Sequence, residues 1–387
     1  VVSWALYDFA NSGYTTVVLT AIYSAYFVAV VAGGGNAGNA GTGTLLWTIA
    51  VAFANFCVLV TGPVIGAIAD YRASKKSFLL VSTALCVVST ALLALPGPGQ
   101  AGWAMALVVL SAIAFASGEN LIAAFLPEIA APENMGRISG FGWSLGYFGG
   151  LLTLAICLAY INAASSRGLT AQDYVPVTLL ITATIFALAA TPTFIWLRER
   201  AQARPKLSGS YLRSGYGQVI NTLRHARQLR DLFRFLVCLT LFQSGVATVV
   251  VVAAIYAQEV MGFTTQQLIM LIMVVNFTAA AGAFVFGFAQ DRFGSVPSLA
   301  VALLVWIVAI AVTLSADRSA DLWLAGNLMG LAMGATQAGG RALIGRLTPV
   351  THSGEFFGLW GLANRAAAIL GPLSYGVISH VSAGNHR

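Results

Sequence analysis

The stretch GAIADYRASKK (66–76) and its echo GFAQDRFGS (287–295) decide how this chain folds. Each opens on a glycine, Gly66 or Gly287, sets an acid four residues on, Asp70 or Asp291, and follows it with a base, Arg72 or Arg292. Each also sits where a long apolar run ends. A glycine at the end of a membrane-spanning helix lets a neighbouring backbone come close, and an acid just beyond it can rest against the positive N-terminus of another helix. The two acids are 221 positions apart, and the same offset carries Gly140 to Gly361 and Gly150 to Gly371. Several matches at one offset mark a chain made of two related halves.

Around these loops, apolar runs at 9–31, 45–69, 78–95, 102–126, 137–161, 175–197, 232–257, 266–289, 296–315, 321–345 and 355–380 give eleven predicted spans. Each is near the roughly 20 residues that cross a hydrocarbon core about 30 Å thick. Of the 387 residues, 58% are hydrophobic and only 9% charged, whereas a soluble domain carries about 25% charged residues. The expected fold class is all-α and integral to a membrane, with two pseudo-symmetric six-helix bundles. An odd span count, a start at Val1 and an end at GNHR (384–387) predict that the twelfth helix and both native ends lie outside this chain. The expected divisions are an N-terminal bundle at 1–197, a basic linker at 198–231 and a C-terminal bundle at 232–387.

The formal charge of +7 does not point to nucleic acid, because the basic residues sit in short segments between spans. They gather in alternate loops: at Arg72, Lys75 and Lys76, at Arg137, from Arg198 to Arg234, at Arg292, and at Arg341 and Arg346. The opposite loops hold only Arg167, Arg318 and Arg387. Cations collect on the cytoplasmic side, so the N-terminus and the linker are predicted inside, as in a multi-pass protein of the cell (inner) membrane. Within the linker, Val219, Ile220, Leu223, Leu229 and Leu232 recur at helical spacing against Arg224, Arg227 and Arg230, as in a helix lying on an anionic lipid surface. Cys57, Cys86, Cys157 and Cys238 fall singly inside apolar runs, and His225, His352, His380 and His386 are scattered. No metal site or cofactor is expected from them.

The Gly-x-x-x-Asp loops, present in both halves, resemble the signature loop of the major facilitator superfamily. SWALYDFANSGYTT (3–16), FLPEIAAPENMGRISGFGWSLGYFGG (125–150) and EFFGLWGLANRAAAILGPLSYG (355–376) resemble its vacuolar-effluxer-like branch, whose fungal members are associated with amino-acid efflux. The resemblance covers nearly the whole chain. It implies twelve helices, alternating access and a cavity lined by helices 1, 4, 7 and 10. One pair departs from the branch: where Gly-Lys is expected in the eleventh helix, this chain has Asn364 and Arg365.

Charges inside a span are costly and face a cavity or a partner. Arg365 lies ten residues into a span that starts at Glu355, about 15 Å deep at the helical rise. It is read either as half of an ion pair that locks two helices, or as the cation that takes a carboxylate or phosphate on its planar fork. Glu119, with Asn120 beside it, is read either as a structural acid or as the group that exchanges protons. Asn11, Tyr14, Thr15, Gln243, Asn327 and Gln337 either contact solute or bond a neighbouring helix, and Trp143, Tyr147 and Trp360 are read as packing or gate residues. No nucleophile elbow, ATP-binding loop or cluster of His with acids is present, so an enzyme is not expected. The expected function is secondary transport of a small-molecule solute, an amino acid or similar zwitterionic or anionic metabolite, coupled to protons and directed outward, by a monomer. Two rivals stand: transport of a larger organic anion, siderophore, sugar derivative or drug, and a non-transporting scaffold or sensor with the same fold.

Overall fold

A computed structural model describes residues 1–32, 40–200, 229–255, 265–316 and 318–381, together with Ile220, Ala257, Met261 and Phe263. Most of the expected amphipathic linker helix, including Val219, Leu223, Arg224 and Arg227, lies outside the described residues. In an apolar surround every backbone N–H and C=O has to be satisfied within its own segment, and the apolar runs accordingly form helices. Eleven long helices are present among the described residues: α1 (Val2–Ala32), α2 (Ala40–Arg72), α3 (Lys75–Leu92), α4 (Ala101–Ala123), α5 (Met135–Ser165), α6 (Ala171–Trp196), α7 (Arg230–Ile255), α8 (Thr265–Phe293), α9 (Ser295–Leu314), α10 (Ser319–Leu347) and α11 (Ser353–Val381). Nine of these are long and apolar enough to cross a membrane. The other two, α10 and α11, carry Arg341 and Arg346, and Glu355 and Arg365, which lower their hydropathy.

The outer surface fits lipid. Leu241 is 71% exposed and Val296 70%, and both belong to a surface of large apolar side chains far beyond the few hundred Å² a soluble monomer shows. Where a helix end meets a polar layer, its free N–H groups are capped: Thr170 and Asp173 close a capping box at the start of α6, with the Thr170 N–H and hydroxyl donating to Asp173 Oδ2 at 2.9 and 2.8 Å.

The first span is corrected at its start. It begins at Val2 rather than residue 9, because Trp4, Tyr7 and Asp8 face protein and need no apolar neighbours to be helical. Its middle is irregular: after Tyr14 the chain widens into π-helical turns over Thr15–Ala21 and again over Phe27–Ala32. Such turns shift backbone groups and are frequent at functional sites.

Across the interface α2 packs on α11, and α5 packs on α8. The offset of 221 exchanges these two contacts, since α2 corresponds to α8 and α5 to α11. The signature glycines make both approaches possible. A Cβ on Gly66 would overlap the Gly354 carbonyl oxygen at the start of α11, and one on Gly287 would stand 2.7 Å from the Gly136 carbonyl oxygen at the start of α5.

Candidate functional site

Each signature acid binds the first turn of a helix in the opposite half. Asp70 accepts from the Gly354 and Glu355 backbone N–H groups, both at 2.9 Å, and Asp291 accepts from those of Gly136 and Arg137 at 2.8 and 2.9 Å. Free N–H groups and the helix dipole both favour a carboxylate there. The cations that complete the clamps are not the ones adjacent in sequence. Lys75 lies 3.7 Å from Asp70, also pairs with Glu128 and donates to Ser353 Oγ at 2.7 Å. Arg137 and Arg346 reach Asp291 at 3.2 and 2.7 Å. Arg72 is exposed, and Arg292 lies over the Phe293 ring, 5.5 Å from its centroid. The segment just past α6 joins the first clamp: Glu199 accepts from the Lys75 and Lys76 N–H groups at 2.8 and 3.1 Å, and the Arg200 N–H donates to Glu128 at 2.7 Å.

Behind the clamps, two chambers lie along the interface. The smaller, about 180 Å³, is lined by Glu119, Asn120, Gln243, Gln337, Asn364 and Arg365 together with Trp143 and Trp360. The larger, about 450 Å³, follows α1 from Asp8 to Ala21, so the π-helical turn at Thr15–Ala21 forms part of its wall. Glu119, Trp143, Trp360 and Arg365 line both and stand between them.

Arg365 of α11 donates from Nη2 to Glu119 Oε2 of α4 at 2.9 Å, and from Nη1 to Asn55 Oδ1 of α2 at 3.4 Å. The two charged side chains keep 21% and 27% of their surface exposed, so a molecule in the cavity can reach them. Asn11, Thr15, Asn120, Gln243, Gln337 and Asn364 also line the chambers. Asn364 is partly committed, donating to Trp360 O at 2.9 Å. Tyr14 and Asn327 line neither. The Tyr14 hydroxyl bonds Ser111 at 2.8 Å with the ring stacked on Phe115, and the Asn327 amide donates to Trp323 O at 2.8 Å. Both hydrogen-bond within the helix packing.

One pair escaped the sequence reading. Arg341, counted there as a loop cation, is a buried residue within α10. Its Nη1 meets Asp8 Oδ2 at 2.7 Å, its Nη2 donates to Ser139 O at 2.9 Å and its Nε to Ser139 Oγ at 3.2 Å. Trp4 and Trp143 sandwich the guanidinium at 4.6 and 5.3 Å, a contact that strengthens when desolvated. Every member of this socket belongs to α1 or α5, so Arg341 is a bolt from the second half into the first. The available signal was an acid just ahead of the predicted first span and an arginine followed by more apolar chain.

A family model described as vacuole effluxer Atg22 like matches residues 42–387. The chain is similar to the MFS-type transporter YxiO of Bacillus subtilis, 28% identical over 387 residues that cover 98% of this chain and 88% of that protein. It is also similar to Autophagy-related protein 22-1 of Penicillium rubens, 24% identical over 266 residues, 63% of this chain and 44% of the fungal protein. Its fold is that of solved major facilitator structures. The human organic anion transporter MFSD10 superposes with a TM-score of 0.75 at 14% identity, covering 97% of this chain and 92% of that one. The proton:xylose symporter XylE superposes at 0.72 and 16% identity, with 98% and 88% covered. At these identities the structural likeness speaks for the fold alone.

Proposed function

The chain belongs to the vacuole effluxer Atg22-like family of MFS-type transporters, and from that premise we propose that it is a secondary active transporter of an amino acid or similar zwitterionic or anionic metabolite. The observation that carries this reading is the Arg365 to Glu119 pair, which joins the two halves on the shared wall of two chambers. A charged pair deep in a membrane protein and open to its cavity is placed where a solute group can compete for it. A solute carboxylate takes the guanidinium, and Glu119, released from its partner, is the group that carries the proton. Solute and proton movement are thereby linked without a covalent step.

The bundles at 1–197 and 232–387 rock about the interface, with the segment 198–231 as the tether. The clamps at Asp70 and Asp291 close the cytoplasmic gate, the N-terminus lies in the cytoplasm of a cell whose inner membrane the chain spans, and one copy suffices. Net movement is outward. The test is counterflow in proteoliposomes with labelled amino acids and organic anions, chosen by a thermal-shift screen, since a ligand that binds the folded state raises its apparent stability. Counterflow of at least one amino acid, lost in Arg365→Ala, is expected. Binding without counterflow of any solute would return the chain to the scaffold or sensor reading.

A further inference from the structure

The residues around the small chamber carry four unanswered donors. Trp143 Nε1, Trp360 Nε1, Asn120 Nδ2 and Arg365 Nε are all buried and have no hydrogen-bond partner, and all four residues line the same 180 Å³ space. Trp360 is 4% exposed and Asn120 7%. A buried N–H without a partner is destabilising, and four on residues around one chamber are far from the usual pattern, in which nearly all such groups are satisfied. Their positions are held by packing rather than by chance: the Gly361 backbone leaves room for the Asn120 amide, which a Cβ at that position would overlap, and Trp360 packs edge-on to Phe357 with ring centroids 6.0 Å apart. The one full negative charge on the lining, Glu119, is already engaged by Arg365 Nη2.

Buried donors without partners select a ligand that brings acceptors. An indole N–H and an arginine Nε–H each donate and cannot accept. An alcohol or a primary amide offers too few lone pairs to meet four donors, whereas a carboxylate offers about four lone-pair sites and a phosphonate more. We propose that the small chamber is an oxyanion subsite, in which a carboxylate or phosphonate head accepts from Arg365, the two indole N–H groups and Asn120 while the rest of the molecule extends into the larger chamber. This rests on the reading of Arg365 as a solute-binding cation and adds the groups that make the site selective. The larger chamber suits an apolar body, since Leu19, Phe115, Leu154, Ile272 and Met333 contribute to its wall.

The test uses the full chain in lipid nanodiscs with three probes that share one branched tail: 4-methylpentanoate, 3-methylbutylphosphonate and 4-methylpentanamide. The two oxyanions are expected to raise the apparent melting temperature and to shift the indole N–H signature in resonance Raman spectra, and the amide to do neither. Trp360→Phe and Trp143→Phe, which keep an aromatic ring and lose the N–H, are expected each to weaken oxyanion binding about fivefold or more, as loss of a hydrogen bond to a charged group does. Equal binding of the amide, absence of binding by both oxyanions, or wild-type affinity in both tryptophan variants overturns the subsite. Oxyanion binding without counterflow of any solute would remove the transport reading and leave the subsite standing. Counterflow unaffected by either Trp variant would do the reverse.

Discussion

At the scale of single residues, two positions make opposite demands on the side chain. Arg365 needs a planar fork, because it donates to Glu119 and Asn55 at once and keeps Nε for a further acceptor. Lysine keeps the charge and loses that geometry. Arg365→Lys is expected to weaken solute binding roughly tenfold, about 1.4 kcal/mol, and calorimetry on the purified protein checks it. Glu119→Gln keeps the shape and removes the proton site, so pH-driven transport should vanish while counterflow persists; full pH-driven transport in that variant would leave Glu119 a structural acid. Ala73 is a different case. It follows α2 with φ at 47°, and its counterpart 221 positions on is Gly294 with φ at 95°. Only glycine takes that region without cost, so Ala73→Gly should raise stability by about 1 kcal/mol, read as a higher melting temperature with unchanged transport.

Among the elements, the two clamps share a plan and differ in exposure. Asp70 and Lys75 have side chains 1% and 0% exposed, whereas in the second clamp Asp291 is 8%, Arg346 20% and Arg137 50% exposed. Breaking a buried pair by removing one partner costs about 3–5 kcal/mol, and an exposed pair contributes about 0–1 kcal/mol. Lys75 keeps Glu128 as a partner in Asp70→Asn, so that variant should loosen the contact of α2 with α11 only somewhat more than Asp291→Asn loosens that of α8 with α5. Added salt should weaken the second more than the first, through Arg137, since exposed charges are screened. Hydrogen exchange at the first turns of α11 and α5 measures each. The clamps were legible in sequence as acids after glycines, because the repeat fixed their register. Their cations were not, since Lys75, Arg137 and Arg346 reach the acids only through tertiary packing. Hydropathy likewise gave the eleven spans to within a few residues except at Val2, where helix is held by Trp4, Tyr7 and Asp8 packing inward rather than by apolar length. Tyr14 and Asn327 carried no mark that separated packing from cavity, because a lone polar residue in an apolar run reads the same either way.

For the whole molecule, four charged contacts among the described residues tie one half to the other: the two clamps, the Arg341 bolt and the Arg365 to Glu119 pair. Three of them lie at or near the end that carries the signature loops, and the larger chamber runs from the bolt along α1 toward the far end. If the halves rock as proposed, opening the signature end would break the three at that end in one motion, because each joins a helix of one bundle to a helix of the other. The bolt and the first clamp share no partner, so their effects on that single equilibrium should add as free energies. If Asp8→Asn and Asp70→Asn each shift the balance tenfold toward the open signature end, the double variant should shift it about a hundredfold, roughly 2.8 kcal/mol. Spin labels at Glu133→Cys and Val350→Cys, exposed sites on the α4–α5 and α10–α11 connections, read the opening as a longer distance in a background without the native cysteines. A long-distance population that grows in each single variant and grows again in the double is expected. If Asp8→Asn leaves the distance distribution unchanged, Arg341 is held by Ser139 and the two indole rings alone, and the acid of the bolt has no part in the gate.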